Sequence, residues 1–273
     1  MRQRILTALL LLPLAVTAVL YLPTPWLGGL TTLLLLLALW EWSRLVGVSG
    51  LPARLAFLAA NVALMSWLAW SAAAWHGLAL SVVVIGALWW LLAAAWLRRI
   101  AFLSLDTPRA RVLKLLAGAL AVVPAWAALL LLHGDGAQGP RWALTALVSV
   151  WAADSFAYFI GSRWGRTKLA PSISPGKTWA GFWGGLGGCI LLTLLAAPLL
   201  GVGWLQLPAL ALLAAITGVF SVLGDLFESL IKRHAGSKDS GDLIPGHGGV
   251  LDRVDSLLAA LPAFLVAKLW LGL

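Results

Sequence analysis

Residues 204–231 read WLQLPALALLAAITGVFSVLGDLFESLI. The run exceeds the roughly 20 apolar residues that a helix needs to cross a bilayer. Its few polar side chains are not scattered. Ser221, Asp225, Glu228 and Ser229, with Lys232 just beyond, fall at i, i+4, i+7, i+8 and i+11, which is one face of an α-helix. The stripe is confined to one end, so the reading is a membrane span whose last turns meet water and headgroups. Ionisable groups at membrane depth are costly, and by default they mark function.

Eight further runs have the same character: 5–22, 26–48, 54–75, 79–98, 112–133, 142–162, 177–201 and 251–272. The composition agrees, at 62% hydrophobic and 11% charged with a mean hydropathy of +0.96. A soluble domain is nearer about half apolar and about a quarter charged. These figures exclude a water-covered globule, a disordered or collagen-like chain, and a nucleic-acid-binding domain despite the pI near 10.6. One cysteine, Cys189, excludes a disulfide framework or a multi-cysteine metal site. The first run follows Arg2 and Arg4 as a signal peptide would. Pro13 interrupts it, no A-x-A cleavage site follows and further spans come after, so it is read as a retained helix. The expectation is an all-α polytopic integral membrane protein of about nine transmembrane helices. It forms a single membrane domain over 1–273, with N-terminal helices over 1–140 and the helices and cytoplasmic loops that carry the chemistry over 141–273.

Nine crossings put 17 of the 19 Lys and Arg residues on the side of the N-terminus and leave only Arg141 and Lys268 on the other. Basic residues stay cytoplasmic, so the N-terminus is expected inside, the C-terminus outside, and the net charge of +9 reports orientation. Outer connections such as Pro23–Pro25 and Gly201–Gly203 are short and uncharged, whereas the inner loops 163–177 and 232–250 are long and basic. Long loops in compact proteins are usually functional. The chemistry is therefore expected at the cytoplasmic face.

Of ten carboxylates, Asp225, Glu228, Asp239, Asp242, Asp252 and Asp255 crowd one 31-residue window, and Asp154 sits inside the sixth span. Asp252 and Asp255 begin the last span, where the helix dipole alone favours acids. That does not explain a second acidic stripe facing the same loop. Oxygen ligands without a cysteine cluster suit a hard cation, Mg²⁺ before Zn²⁺. Lys232, Arg233, Lys238 and Arg253 in the same window suit phosphate oxygens, and Gly246, Gly248 and Gly249 allow close backbone approach to a charged group. The alternative is a set of loop salt bridges. Ser174–Thr178 ends in GKT, but Pro171 stands where a P-loop needs its first glycine, so a Walker A motif is rejected. Lys177 is either a phosphate contact or a positive-inside anchor. Gly184, Gly185, Gly187 and Gly188 read as small-residue helix packing. Asp154 either joins the acidic site or pairs with Arg163 or Lys177.

Residues 229–255, SLIKRHAGSKDSGDLIPGHGGVLDRVD, resemble the signature of the phosphatidate cytidylyltransferases, also called CDP-diglyceride synthetases. Ser229, Lys232, Arg233, Lys238, Asp239, His247, Gly248, Gly249, Asp252, Arg253 and Asp255 occupy its fixed positions. The likeness extends to Asp154, to KLAPSISPGKTWAG at 168–181, to Gly224-Asp225 and to Trp40-Glu41-Trp42, while Ala180 departs from it.

The resemblance implies an enzyme of phospholipid biosynthesis in the inner (cytoplasmic) membrane, with its active site facing the cytoplasm. Such an enzyme joins CTP to phosphatidic acid, giving CDP-diacylglycerol and pyrophosphate. It further implies dependence on Mg²⁺, with a second cation such as K⁺, at a paired site of Asp225 and Asp252. Lys232, Arg233, Lys238, Asp239, Arg253 and Asp255 join them as catalytic candidates, with Glu228 as nearby support. Lys177, Lys232, Arg233, Lys238, His247, Gly248 and Gly249 are candidates for holding phosphates, His247 alternatively only shaping its turn. The implied partners are CTP, phosphatidic acid and membrane lipids, with no nucleic acid; a homodimer is compatible. Two other classes fit less well. An ion-coupled transporter is expected to show internal repeats and midplane charges, and a CDP-alcohol transferase needs a D-G-x-x-A-R core, which is absent.

Overall fold

The computed structural model describes residues 2–72, 76–241 and 248–273. Its helices are α1 (Arg2–Tyr21), α2 (Thr24–Leu45), α3 (Leu51–Ala72), α4 (His76–Leu97), α5 (Pro108–His133), α6 (Gly139–Trp164), α7 (Trp179–Leu195), the single turn α8 (Ala197–Leu200), α9 (Leu207–His234) and α10 (Leu251–Trp270). Local chemistry sets several boundaries. Pro25, Pro108 and Pro208 fall in first turns, where a missing N–H costs nothing. Thr107 and Thr178 cap α5 and α7 by accepting from Ala110 N and Gly181 N, each at 3.1 Å.

Each of the nine predicted runs is occupied by a helix among the described residues. Six of these helices are long and apolar enough to cross a membrane: Thr24–Leu45, Leu51–Trp70, Gly77–Leu97, Pro108–His133, Gly136–Trp164 and Trp204–His234. The other three fall short for separate reasons. The described apolar part of α1 is Leu12–Tyr21. α7 has 17 residues, and α10 carries Asp252, Arg253, Asp255 and Lys268.

One expectation is corrected. The fold is not wholly α-helical, because the inner loop 163–177, with the first two residues predicted for the seventh span, forms a hairpin. β1 (Lys168–Ala170) pairs antiparallel with β2 (Ser174–Thr178), with Lys168 opposite Thr178 and Ala170 opposite Ser174. Pro175 and Gly176 are poor helix interiors, so the helix waits for the Thr178 cap. Lys177 therefore stands on a strand.

The core runs through the bundle, and its aromatic part lies where α2 and α4 meet the C-terminal end of α9. Phe227 packs among Trp42, Trp89, Trp90 and Trp96, with ring centroids 6.2, 5.9, 5.7 and 5.3 Å away. Three of these indoles reach backbone carbonyls, Trp42 donating to Lys114 O at 2.8 Å, Trp90 to Leu258 O at 3.1 Å and Trp96 to Phe102 O at 3.0 Å. A buried indole N–H usually finds such a partner. The glycine run of α7 packs on α6 as expected, since a Cβ at Gly185 would stand 2.7 Å from Ala153 O and one at Gly184 or Gly188 would enter the Ile160 or Phe156 side chain. Gly187 meets nothing within 4 Å. Near the same end of the bundle, Arg111 Nε bonds Asp106 Oδ1 at 2.5 Å and, through this hydrogen bond first, holds that carboxyl below the usual carboxylate range.

Candidate active site

α9 and α10 cross closely because Gly224 lies directly against the carbonyl of Asp255, leaving no room for a Cβ. The crossing brings the two acidic stripes together. Lys232 Nζ is held between Glu228, one turn back on its own helix, and Asp252 Oδ1 at 2.6 Å. All three side chains are at most 10% exposed. Asp225 accepts from Ser229 Oγ at 3.3 Å and pairs with Lys177 Nζ at 2.6 Å, so β2 delivers its lysine onto the stripe. Asp255 lies within Coulombic reach of Asp225, Glu228 and Asp154. Asp154 lies near Lys177, Asp225 and Ser256, so it joins the acidic group and does not stand apart with Arg163.

Asp252 is the best-anchored carboxylate. Its Oδ2 accepts from Gly249 N at 2.8 Å and Ser240 N at 3.1 Å, and Ser240 Oγ lies 3.0 Å away. Gly248 supports this turn with φ +81°, a conformation that side chains disfavour. Behind Ser240 stands Glu41 of α2. Its carboxylate accepts from Val250 N at 3.0 Å and Leu251 N at 2.8 Å, and Ser240 Oγ is 2.9 Å from it. Gly241 and Gly249 lie flat against the same carboxylate, where a Cβ would collide with it. The close backbone approach expected of the glycines is thus toward a charge of the protein itself.

Beside this cluster lies a cavity of about 370 Å³ lined by Arg44, Leu45, Ala235, Ser237, Lys238, Asp239, Ser240 and Gly241. Arg44, Lys238 and Asp239 are exposed around it. The arrangement combines an excess of carboxylates, several cations and a polar opening at one end of an apolar bundle.

The sequence profile of the cytidylyltransferase family matches residues 2–270. The chain belongs to the cytidylyltransferase family. A phosphatidate cytidylyltransferase of Pseudomonas aeruginosa is 40% identical over 285 residues, covering 99% of this chain and 97% of the relative. Proteins of the same name match over shorter stretches. That of Haemophilus influenzae is 50% identical over 44% of this chain and 43% of its own length. That of Thermotoga maritima is 42% identical over 49% of this chain and 52% of its own length.

Within this cytidylyltransferase fold, the site residues expected from sequence occupy distinct positions. Asp225, Lys232, Asp252, Asp255 and Lys177 converge as described, although Asp225 and Asp252 bond to different lysines. Arg233 donates to Ile173 O at 3.0 Å and Ser237 O at 3.1 Å, tying the hairpin and the following loop to α9. Lys238 and Asp239 border the cavity, and Arg253 is exposed next to Asp252. His247 and Asp242 lie outside the described residues. Glu41, Ser240 and Arg44 were not among the expected site residues. The signal for Glu41 was available, since it is an acid inside the apolar second span.

Proposed function

We propose that this chain transfers the cytidylyl group of CTP to phosphatidic acid, giving CDP-diacylglycerol and pyrophosphate. The observation that carries this reading is the family match over residues 2–270 together with a relative of that name aligned over nearly the whole of both chains. The chemistry suits the site. Phosphatidate is a phosphomonoester with a second pKa of about 6, so it is mostly dianionic near neutrality and needs no strong base. One of its oxygens forms a bond to the α-phosphorus of CTP while the bond to the β-phosphate oxygen breaks and pyrophosphate leaves. The difficulty is to bring two anions together, and fixed cationic groups aimed at the developing charge lower that barrier.

Lys177, Lys232, Lys238 and Arg253 are assigned to phosphates, with Arg233 tying the hairpin that carries Lys177 and the loop that carries Lys238 to α9. Asp225 and Asp252 are assigned to Mg²⁺, with a cation such as K⁺ beside it, and with Asp255, Glu228 and Asp239 nearby. A bound Mg²⁺ would supply charge neutralisation of the reacting phosphates. The donor set fits such an ion. Asp154, Asp225, Glu228, Asp252 and Asp255 outnumber the two ammonium groups of Lys177 and Lys232 that pair with them. Among the described residues no group of three or more His, Cys, Asp or Glu forms a ready-made cage. Mg²⁺ typically uses one or two carboxylates and completes its shell with water and phosphates.

We place the protein in the inner membrane with nine crossings, the N-terminus and active site at the cytoplasm. Three contacts support this topology. Lys268 bonds Asp135 at 2.9 Å and lies over the Trp142 ring, and Arg141 donates to Leu199 O at 3.2 Å, so the two basic residues expected outside gather near the α5–α6 connection. The test is purified protein with phosphatidate, labelled CTP and Mg²⁺. Label should enter the lipid phase with CTP alone among nucleotides and stop on chelation with EDTA. Equal labelling by every nucleotide, or activity that survives EDTA, refutes the assignment.

A further inference from the structure

We propose that Glu41 of α2 is a positioning residue for cytidylyl transfer, acting on Asp252 through Ser240 and the first turn of α10; this rests on Asp252 being a metal ligand. Glu41 is fully buried, and among the described residues no Lys or Arg forms an ion pair with it. It spends its acceptors on the backbone N–H groups of Val250 and Leu251 and on the Ser240 hydroxyl. Those amides open α10, where a helix has unsatisfied donors and the positive end of its dipole. A carboxylate from a different helix, seated there, fixes where α10 begins. Asp252 is the next residue along that turn. The flat packing of Gly241 and Gly249 on Glu41 makes the fit specific, because any side chain at either position would displace the carboxylate or the loop.

Ser240 supplies the second link. Its Oγ lies 2.9 Å from Glu41 Oε2 and 3.0 Å from Asp252 Oδ2. A hydroxyl has one proton to donate, so it serves one carboxylate at a time. With Glu41 as a permanent alternative acceptor, Ser240 is able to release Asp252 Oδ2 for another ligand without leaving its own proton unpartnered. Glu41 thereby sets both the position of Asp252 and the availability of its oxygen.

The test measures Mn²⁺ binding to purified wild type, Glu41→Gln, Glu41→Ala and Ser240→Ala in detergent, without CTP or lipid, from loss of the free Mn²⁺ paramagnetic resonance signal. It also measures kcat and KM for phosphatidate. Glu41→Gln is expected to weaken Mn²⁺ binding and lower kcat, each by about 10–100-fold, with KM within roughly twofold of wild type. Glu41→Ala should be worse on both, so that the glutamine variant shows partial rescue. Wild-type Mn²⁺ binding and kcat in Glu41→Gln overturn the proposal. So does a fall in kcat with Mn²⁺ binding unchanged, which is what a purely structural loss gives. If the Glu41 variants fail to fold, Ser240→Ala keeps both backbone bonds of the cap and must still weaken Mn²⁺ binding; unchanged binding there is equally fatal. Asp252→Ala separates the two readings. If it binds Mn²⁺ like wild type, Asp252 is no metal ligand, and the role of Glu41 falls with that assignment. If it loses Mn²⁺ while Glu41→Gln does not, only the inference fails.

Discussion

Adding one methyl group at Gly224 should cost far more activity than stability. A Cβ there falls on the Asp255 carbonyl and stands 3.1 Å from Ala259 Cβ, while ordinary Cβ contacts begin at 3.4 Å. The obstacle is backbone on another helix, which cannot turn aside as a side chain does, so α9 and α10 must part by roughly 1 Å. Overpacking of this kind costs about 1–3 kcal/mol, and replacing a helical glycine by alanine returns about 1 kcal/mol. The net loss of stability is therefore about 0–2 kcal/mol. The crossing also sets the distance between the stripe of Asp225, Glu228 and Lys232 and the pair Asp252 and Asp255. Misplacement by about 1 Å can cost around 10²-fold in rate. Gly224→Ala is thus expected to stay folded in detergent and to form CDP-diacylglycerol about a hundredfold more slowly. Gly187→Ala is the control, because that position is open and a helical alanine there should leave activity unchanged. The assay is initial rate with saturating CTP and phosphatidate beside thermal unfolding of the same samples. Full activity in Gly224→Ala, or equal losses in both variants, refutes the reasoning.

Three further outcomes are expected. Asp225→Ala and Asp252→Ala should each abolish turnover while the protein remains folded by gel filtration in detergent, and near-normal activity in either removes that residue from the metal site. Lys232→Met leaves Glu228 and Asp252 without the cation between them, at side-chain exposures of 3% and 10%. Breaking such a buried pair costs about 3–5 kcal/mol, read as an earlier unfolding midpoint by tryptophan fluorescence, and adding Glu228→Gln should restore part of it. For orientation, Cys189 is replaced, a change its fully buried site makes necessary only as a precaution, and single cysteines are placed at Ala235, exposed at the start of the same loop, or Leu273. An impermeant maleimide on intact cells should label position 273 and spare 235, which must label once the cells are opened; labelling of 235 on intact cells reverses the orientation.

Periodicity made much of this legible before any coordinates. Ser221, Asp225, Glu228, Ser229 and Lys232 belong to one helix, so their shared face follows from helical geometry alone, and the pair at Asp252 and Asp255 follows from the i, i+3 spacing that opens the next span across the same loop. The hairpin at 168–178 was not legible in the same way. Its strands are three and five residues long, too short for alternation to stand out, and the apolar run beyond them absorbs Lys177 into a helix on paper. Glu41 was legible as an oddity but not as a part of the site. A lone acid in an apolar helix states that a partner is needed, not which loop supplies it, and its donors come from 199 to 210 residues further along the chain. The pairing of Asp225 with Lys177 and of Asp252 with Lys232 is likewise a matter of tertiary distance, which spacing does not encode.

The separation between Glu41 and its amide donors has a consequence for how the protein is made. Chains are synthesised at about 5–20 residues per second, so roughly 10–40 s pass between the appearance of Glu41 and that of Val250, 209 residues later. Throughout that interval the second helix holds an acid whose eventual hydrogen-bond donors do not yet exist. Near the end of α2, that carboxylate stays without its protein donors until the last helix docks. A ribosome stalled before residue 250 should leave a chain short of only its last helix, whose second helix still awaits its partner. Arrival of α10 would then close the bundle and assemble the chemistry in the same step.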